Sequence, residues 1–596
     1  MKSKIKLYST LGLGITCLLS VMPNEFLSQE SNDTLSMDVT FVGEREMVVK
    51  DAIKLQSWPE PRRLDGGNRN FSYKLLSKRL NVAPEWTQID PVRLKVDAPL
   101  ARLYRGYARL GYGMYNTPLV DISLTDLRSR EGTWGLQGSH FATNTPNDTL
   151  TNRFKNSNAR VWASRFIGKE KVVFSGHLSN NAIVYYGNPV NDDFAPSDTT
   201  GLSQNFINYG SSIALKSHHR DSTMLNHVVN FDWAQMRFGD KFIENNYNGE
   251  IEIGKFIGTE KYSLKAKYNF DNLHIDKTTD APNTINTAIA GLEPSITTYK
   301  GNLTITAGGG LWVDNDDNSR RSEDIKEKLF VYPRIEASIS LMKDLFIPYF
   351  KYDGGMRQNR LLSVLNDNPF FNYELIELTE EVNCPLNNTW KKNDMHIGMR
   401  GTITDALSFN VFGRTVKYDD YMFFKNTSLS GGAKFDAFYH DLRISSVGGN
   451  VNLEIGSNFE MAINSEFFSY SYEENAIHNS WNLPKYRASI DLKHTFIDKI
   501  IIKSTNTLVG ARNSLSEVMP EDESTFELIS SIDNPQDYYN ITLPAFIDMN
   551  LNVEYRYNDR TAVWMSLNNL TNSNYSHWAG YRVQGIQALF GASYAF

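Results

Sequence analysis

From about Tyr104 to the end, the chain is a succession of segments in which apolar and polar residues alternate. Tyr262, Leu264, Ala266, Tyr268 and Phe270 fall on one face, and Lys261, Lys265, Lys267, Asn269 and Asp271 on the other. Val331, Ile335, Ala337, Ile339 and Leu341 oppose Arg334, Glu336, Ser338 and Ser340 in the same way. Ile547, Met549, Leu551, Val553, Tyr555 and Tyr557 oppose Asp548, Asn550, Asn552, Glu554 and Arg556. A period of two marks a β-strand with unlike faces. In a soluble sandwich the apolar face would meet a core. Here the segments are long, the polar face is densely charged, and aromatics gather toward segment ends, where the girdles of a membrane barrel lie.

The connections separate the two readings. Short turns are predicted at 128–132, 168–170, 219–223, 258–260, 299–302, 342–344, 404–406, 456–458, 498–499 and 558–560. Longer polar links fall between them, among them 144–156, 188–204, 272–284, 315–326, 360–390, 473–483 and 514–539. Brief turns on one side and long loops on the other are the asymmetry of an outer-membrane barrel. The punctuation predicts an all-β fold, a transmembrane antiparallel β-barrel of about 22 strands. An even number puts both termini in the periplasm. A barrel of that width has an open lumen unless something fills it.

The last strand alternates Ile586, Ala588, Phe590, Ala592, Tyr594 and Phe596 against small or polar residues. We assign Phe590, Tyr594 and Phe596 as a membrane-insertion signal. The first 28 residues read as an export signal, with Lys2, Lys4 and Lys6 before an apolar stretch over 7–22. Residues 29–103 lack sustained periodicity, and Pro59, Pro61, Pro84, Pro91 and Pro99 keep much of the segment extended. They read as an irregular periplasmic extension, leaving 104–596 for the barrel.

Composition agrees. Mean hydropathy is −0.41, too low for a bundle of membrane helices. Apolar residues make up 41% of the chain and aromatics 12%, which argues against disorder. The net charge of −7 leaves no nucleic-acid footprint. Two cysteines, Cys17 in the leader and Cys384, make neither a disulfide framework nor a cysteine-rich metal site. Asp314, Asp316, Asp317 and Asn318 begin like a calcium loop, but Ser319 stands where glycine is needed and Ile325 where the bidentate Glu should be. No metal or cofactor is assigned.

The stretch 568–581, NNLTNSNYSHWAGY, followed by a strand ending in Phe596, resembles the end of TonB-dependent receptor barrels. Two further stretches resemble a plug-less subgroup of these barrels: VGEREMVVKDAIKLQSWPEPRR at 42–63 and PLARLYRGYARLGYGMYNTPL at 99–119. The resemblance implies an outer-membrane location, contact with membrane lipid, and a periplasmic or surface lipoprotein as partner. The 75 residues between leader and first strand are too few for the plug domain of a plug-containing receptor, and no TonB box stands near the mature N-terminus. Both departures argue against TonB coupling.

Enzymatic motifs are missing: there is no G-x-S-x-G, H-E-x-x-H or P-loop. Ser139 and His140 are sequence neighbours and point to opposite faces. The loop 360–390 carries Phe370, Phe371, Tyr373, Leu375 and Ile376 in one apolar run. We read Phe370, Phe371 and Tyr373 as a gating or contact element, either a constriction in the mouth or a surface for a solute or partner. Two functions stay open: a gated transporter or channel for an unidentified solute, and a non-transporting scaffold that binds periplasmic or surface partners.

Overall fold

Twenty-two antiparallel strands, each pairing with the next, close into a barrel in a computed structural model of the chain. The structure describes residues 103–596 except residues 128 and 343 and the segments 146–151, 188–202, 219–223, 240–241, 276–283, 317–328, 373–385, 428–432, 474–478, 519–525 and 532–533. Of the sequence expectations, the leader, the extension 29–102, Tyr373 and Cys384 lie outside the described residues.

Closure is made by the first strand, Gly106–Gly113, pairing with the last, Gln587–Ala595, from Tyr107 opposite Ala595 to Gly113 opposite Leu589. Gly106 N–H donates to Phe596 O at 2.8 Å, and Phe596 N–H donates back to Gly106 O at 2.9 Å. Joining the ends removes the unpaired edges that an open sheet would expose in lipid. The indole of Trp564 lies across this seam. A Cβ on Gly591 would sit 2.1 Å from Leu110 O and 2.4 Å from the Trp564 ring, so only glycine fits there. The Arg109 guanidinium caps the indole at 3.9 Å.

The predicted short turns that the structure describes close hairpins at one end of the barrel, and 219–223 lies outside the described residues. Several are two-residue turns, and Gly258 and Gly301, at φ +66° and +60°, supply the left-handed backbone they need. The brief-turn end is the periplasmic one. At the other end the sequence reading missed two hairpin connections, 114–116 and the one joining the paired residues Phe238 and Phe242. Tyr115 and Asn116 make the first with positive φ and no glycine, so composition did not announce it.

Apolar side chains of the alternating pattern face outward. Leu110, Ile213, Phe231, Val331, Val447 and Val563 are among the exposed ones. In lipid this band is satisfied, whereas in water it would be an apolar surface far larger than soluble proteins carry. Trp134, Tyr299, Phe496, Tyr557, Tyr594 and Phe596 mark the periplasmic girdle. The protein is therefore an outer-membrane β-barrel.

The wall is not level. The strands Leu407–Asn426 and Phe435–Ile455 have 20 and 21 residues, whereas Gly106–Gly113 and Thr561–Asn568 at the seam have 8 each. A spanning strand needs about 9–11 residues, so the tall pair stands well clear of the outer leaflet. A three-stranded flap, Arg512–Ser516, Phe526–Ser531 and Asn534–Leu543, leans on this rim. Leu515 and Ser516 run parallel to Lys425 and Asn426.

Candidate functional site

Three external loops meet over the lumen. The first follows the strand Ile347–Arg357 and holds the short helix Leu361–Asp367. Leu361, Leu362, Val364 and Leu365 are all buried, although the helix belongs to a connection. They pack on Phe238, Phe242, Leu273, Ile275 and Ile285 at the tops of wall strands. Burying four such side chains stabilises the inward fold by several kcal/mol, at about 1.5–3 kcal/mol each. Ser363 Oγ accepts from Arg360 N–H at 2.9 Å and donates to Arg360 O at 2.7 Å, holding the first turn.

A buried carboxylate receives the helix. Leu361 N–H and Leu362 N–H donate to the two oxygens of Glu244 at 2.5 and 3.0 Å. Glu244 projects inward from the strand Phe242–Ile257 and is 1% exposed. Its neighbours are Asp271 and Asn246, and Asn246 Nδ2 donates to Asp271 at 3.1 Å and to Asn269 at 2.7 Å. Helix N–H groups have no intrahelical acceptor in the first turn, so the carboxylate meets a need the chain cannot meet locally. Arg357 pairs with Asp367 at the far end, at 2.5 Å.

The second loop, 569–586, comes from the low seam. Its small hairpin pairs Ser576–Trp578 with Tyr581–Arg582. Tyr581 stacks on Phe370 with 3.5 Å between centroids and an interplanar angle of 20°. Its hydroxyl donates to Ala433 O, beside the tall rim. Trp578 packs edge-on to Phe424 and against Phe435. Arg512 Nη1 and Nη2 donate to the carbonyls of His577 and Ser576, at 3.0 and 2.5 Å.

The third contribution is Tyr185 and Tyr186, just beyond the strand Glu170–Val184. Tyr186 meets Tyr581 edge-on at 4.9 Å and Phe370 at 6.1 Å, and donates to Arg582 O at 3.0 Å. Tyr185 Oη donates to Phe371 O at 3.2 Å. Burial pushes the Tyr186 phenol up to about 12 and holds the Tyr581 phenol well above its usual value. Both rings stay neutral donors. Burial, and then the Arg512 charge, hold the His577 imidazole below its usual value.

Of the residues read as a gating or contact element, Phe370 and Phe371 lie where these loops meet, and Tyr373 is outside the described residues. Phe371 is fully buried, and Phe370 is packed between Tyr581 and Tyr186. Backbone pairing with Phe435 holds them: Phe435 N–H donates to Phe370 O at 3.0 Å and Asn372 N–H to Phe435 O at 2.7 Å. Phe590, Tyr594 and Phe596 lie elsewhere, on the lipid face of the closing strand. Sequence reasoning missed Glu244, Tyr186 and Tyr581 as partners of the loop. Tyr581 was visible only as part of the terminal motif, and Glu244 looked like any other inward polar position.

Beneath the seal lies a cavity of about 740 Å³. Its wall carries a mixed-charge belt. Glu293 accepts from Tyr332 at 3.0 Å and faces Arg334 at 3.8 Å. Arg334 also pairs with Glu336 at 3.0 Å, and Lys351 bridges Glu336 and Asp353 at 3.4 and 3.3 Å. Farther round the wall, Asp394 takes two bonds from Arg414, at 2.7 and 2.8 Å, and one from Lys391 at 2.9 Å. A lumen lined this way is wet, polar and charged.

No family model and no curated protein sequence matches the chain. Solved structures do. The siderophore receptor PirA from Acinetobacter baumannii superposes with a TM-score of 0.59 at 11% identity, covering 84% of this chain and 81% of that one. The pyoverdine outer membrane receptor FpvA from Pseudomonas aeruginosa PAO1, bound to pyoverdine, gives 0.59 at 11% identity, with 84% and 79% covered. The FrpB iron transporter from Neisseria meningitidis gives 0.60 at 9% identity, with 83% and 82% covered. At these identities the likeness is one of fold, which is the barrel that the C-terminal resemblance implied.

Proposed function

We propose that this chain is a gated outer-membrane transporter whose gate is the loop seal at its outer mouth. The observation that carries this reading is the Phe370–Tyr581–Tyr186 contact above a charged cavity. The contact joins loops, not wall strands, so the loops can part without breaking a barrel ladder. That the fold neighbours are named as receptors and transporters supports the same reading. We assign residues 1–28 to a leader and 29–103 to a plug-less periplasmic extension, with opening driven by a solute or a lipoprotein partner in place of TonB. Phe590, Tyr594 and Phe596 are proposed to guide insertion.

A second reading, a non-transporting scaffold, is favoured by the tall rim of Leu407–Asn426 and Phe435–Ile455, which offers a projecting ledge for a surface partner. Planar-bilayer conductance separates the two. The comparison is the mature protein, a version lacking 29–100, and the seal variant Phe370→Ser/Tyr581→Ser. Large conductance in the seal variant is expected for a loop-gated transporter. Silence in all three proteins would favour the scaffold.

A further inference from the structure

We infer that the outer face of the strands Gly132–Thr145, Asn152–Ile167 and Glu170–Val184 carries a binding site for an anionic lipid of the outer leaflet, its phosphate at Lys155 and Arg153 and an acyl chain in the groove below them. The inference rests on the outer-membrane placement of the barrel and not on the transporter reading. The register of the three strands sets their outward side chains in level rows, and the rows change character with height.

The lower rows are apolar. Val161 stands between Leu136 and Gly176, and Ala159 between Gly138 and Leu178. Leu136, Val161, Phe174 and Leu178 are 43–49% exposed, and the small residues among them leave a groove of about 360 Å³. A Cβ on Gly138 would meet nothing within 4 Å, so the floor is open to a methylene chain, which gains dispersion contacts along it. The next row is polar: Ser157 lies between His140 and Asn180, with His140 Nδ1 2.8 Å from Ser157 Oγ. From Ile167 at the periplasmic end to Ser157 the tilted strand rises about 25 Å, the height of the apolar band. This row therefore lies where acyl chains join their headgroup.

Above it the face is cationic. Lys155 stands between Ala142 and Ala182, and Arg153 is one row higher, opposite Asn144. Both are exposed, and with these small neighbours they line a second groove of about 390 Å³. Arg153 Nε donates to Asn144 Oδ1 at 3.1 Å, a bond that orients the guanidinium and leaves its charge unmatched. Among the described residues, the outward positions on the outer half of these strands hold no carboxylate. On the tall rim the outward Lys417 is instead flanked by Asp419 and Asp441, each at 3.6 Å. A phosphate supplies the charge that Lys155 and Arg153 lack and accepts their hydrogen bonds. A soluble phosphate leaves the groove empty, a zwitterionic lipid brings its own cation against these two, and a soluble protein would have to displace lipid from Leu136 and Val161. An anionic lipid fits both the groove and the cations above it.

The test is native mass spectrometry of the full mature protein after incubation in detergent with equal amounts of phosphatidylglycerol and phosphatidylcholine carrying the same chains. The unaltered protein is expected to retain phosphatidylglycerol at least about fivefold over phosphatidylcholine. Arg153→Ala/Lys155→Ala should abolish the preference, and Arg153→Lys/Lys155→Arg should keep it. Gly138→Leu fills the groove without touching the cations and should lower retention of both lipids alike. Lys417→Ala on the tall rim should change nothing. Glycerophosphate, which has no acyl chains, should not displace the lipid. Heat-modifiable gel migration reports that each variant barrel is folded. Equal retention of the two lipids by the unaltered protein overturns the inference without any variant. So does a double-alanine protein that keeps the preference, or a Lys417→Ala protein that loses it. Displacement of the lipid by glycerophosphate would mark a site for free phosphate and overturn the lipid assignment.

Discussion

The ring of Phe370 lies flat on the ring of Tyr581, 3.5 Å between centroids, and the two residues belong to loops from separate hairpins of the barrel mouth. Their contact is the keystone of the seal. Tyr581→Ala deletes the stacked ring together with its hydrogen bond to Ala433 O. Losing a buried aromatic costs about 3–5 kcal/mol, enough to shift a closed loop toward open. We expect frequent large openings in planar bilayers and raised uptake of bulky antibiotics in cells. Tyr581→Phe keeps the stack and loses only the hydroxyl, so its effect should be much smaller.

Glu244 is the second anchor. Glu244→Leu leaves the N–H groups of Leu361 and Leu362 buried without an acceptor, at about 1–3 kcal/mol each. Amide exchange at Leu361 and Leu362 should accelerate, while exchange in the wall strands stays slow. Glu244→Gln keeps one acceptor oxygen and should give an intermediate rate. Equal protection in all three proteins would show that the helix is held by its leucines alone.

The small hairpin should respond to acid. The His577 value lies below 6.5 because burial and the Arg512 charge disfavour the imidazolium. Above pH 6.5 the imidazole is neutral in both the docked and the released loop, so pH has no effect. Below 6.5 the released loop takes the proton first, and docking weakens until pH passes the lowered value. Exchange of the Val583 N–H, which donates to Tyr575 O at 2.9 Å, should therefore quicken as pH falls below 6.5, after correction for intrinsic rates. His577→Phe should remove the dependence.

At the seam, Phe596→Asp places a charge in the lipid-facing girdle and should lower the yield of heat-resistant folded barrel in outer membranes. Gly591→Val should do the same for another reason, because its side chain would collide with Leu110 O and the Trp564 ring. Seminative gel migration of membrane fractions measures both. Normal assembly of Phe596→Asp would remove the insertion role assigned to the C-terminal aromatics.

Much of the architecture is legible in the chain because it is local. Alternation such as Tyr262 to Phe270 against Lys261 to Asp271 needs only neighbouring residues to declare a strand and its two faces. Turn chemistry at Gly258 and Gly301 is local too, and the spacing of such turns determined the strand number, its parity and the membrane end of each loop. The apolar run at Phe370 and Phe371 was visible as an anomaly, but its destination was not. Whether it faced solvent, a partner or the lumen depended on Glu244, Tyr186 and Tyr581, residues remote in sequence that the closed barrel brings over one mouth. The same holds for Asp394. By itself it is one more inward carboxylate, and only the folded wall sets Arg414 of the next strand against it. Period and turn type follow from the covalent chain and its nearest neighbours; loop docking and charge pairing follow from which distant strands the barrel sets side by side.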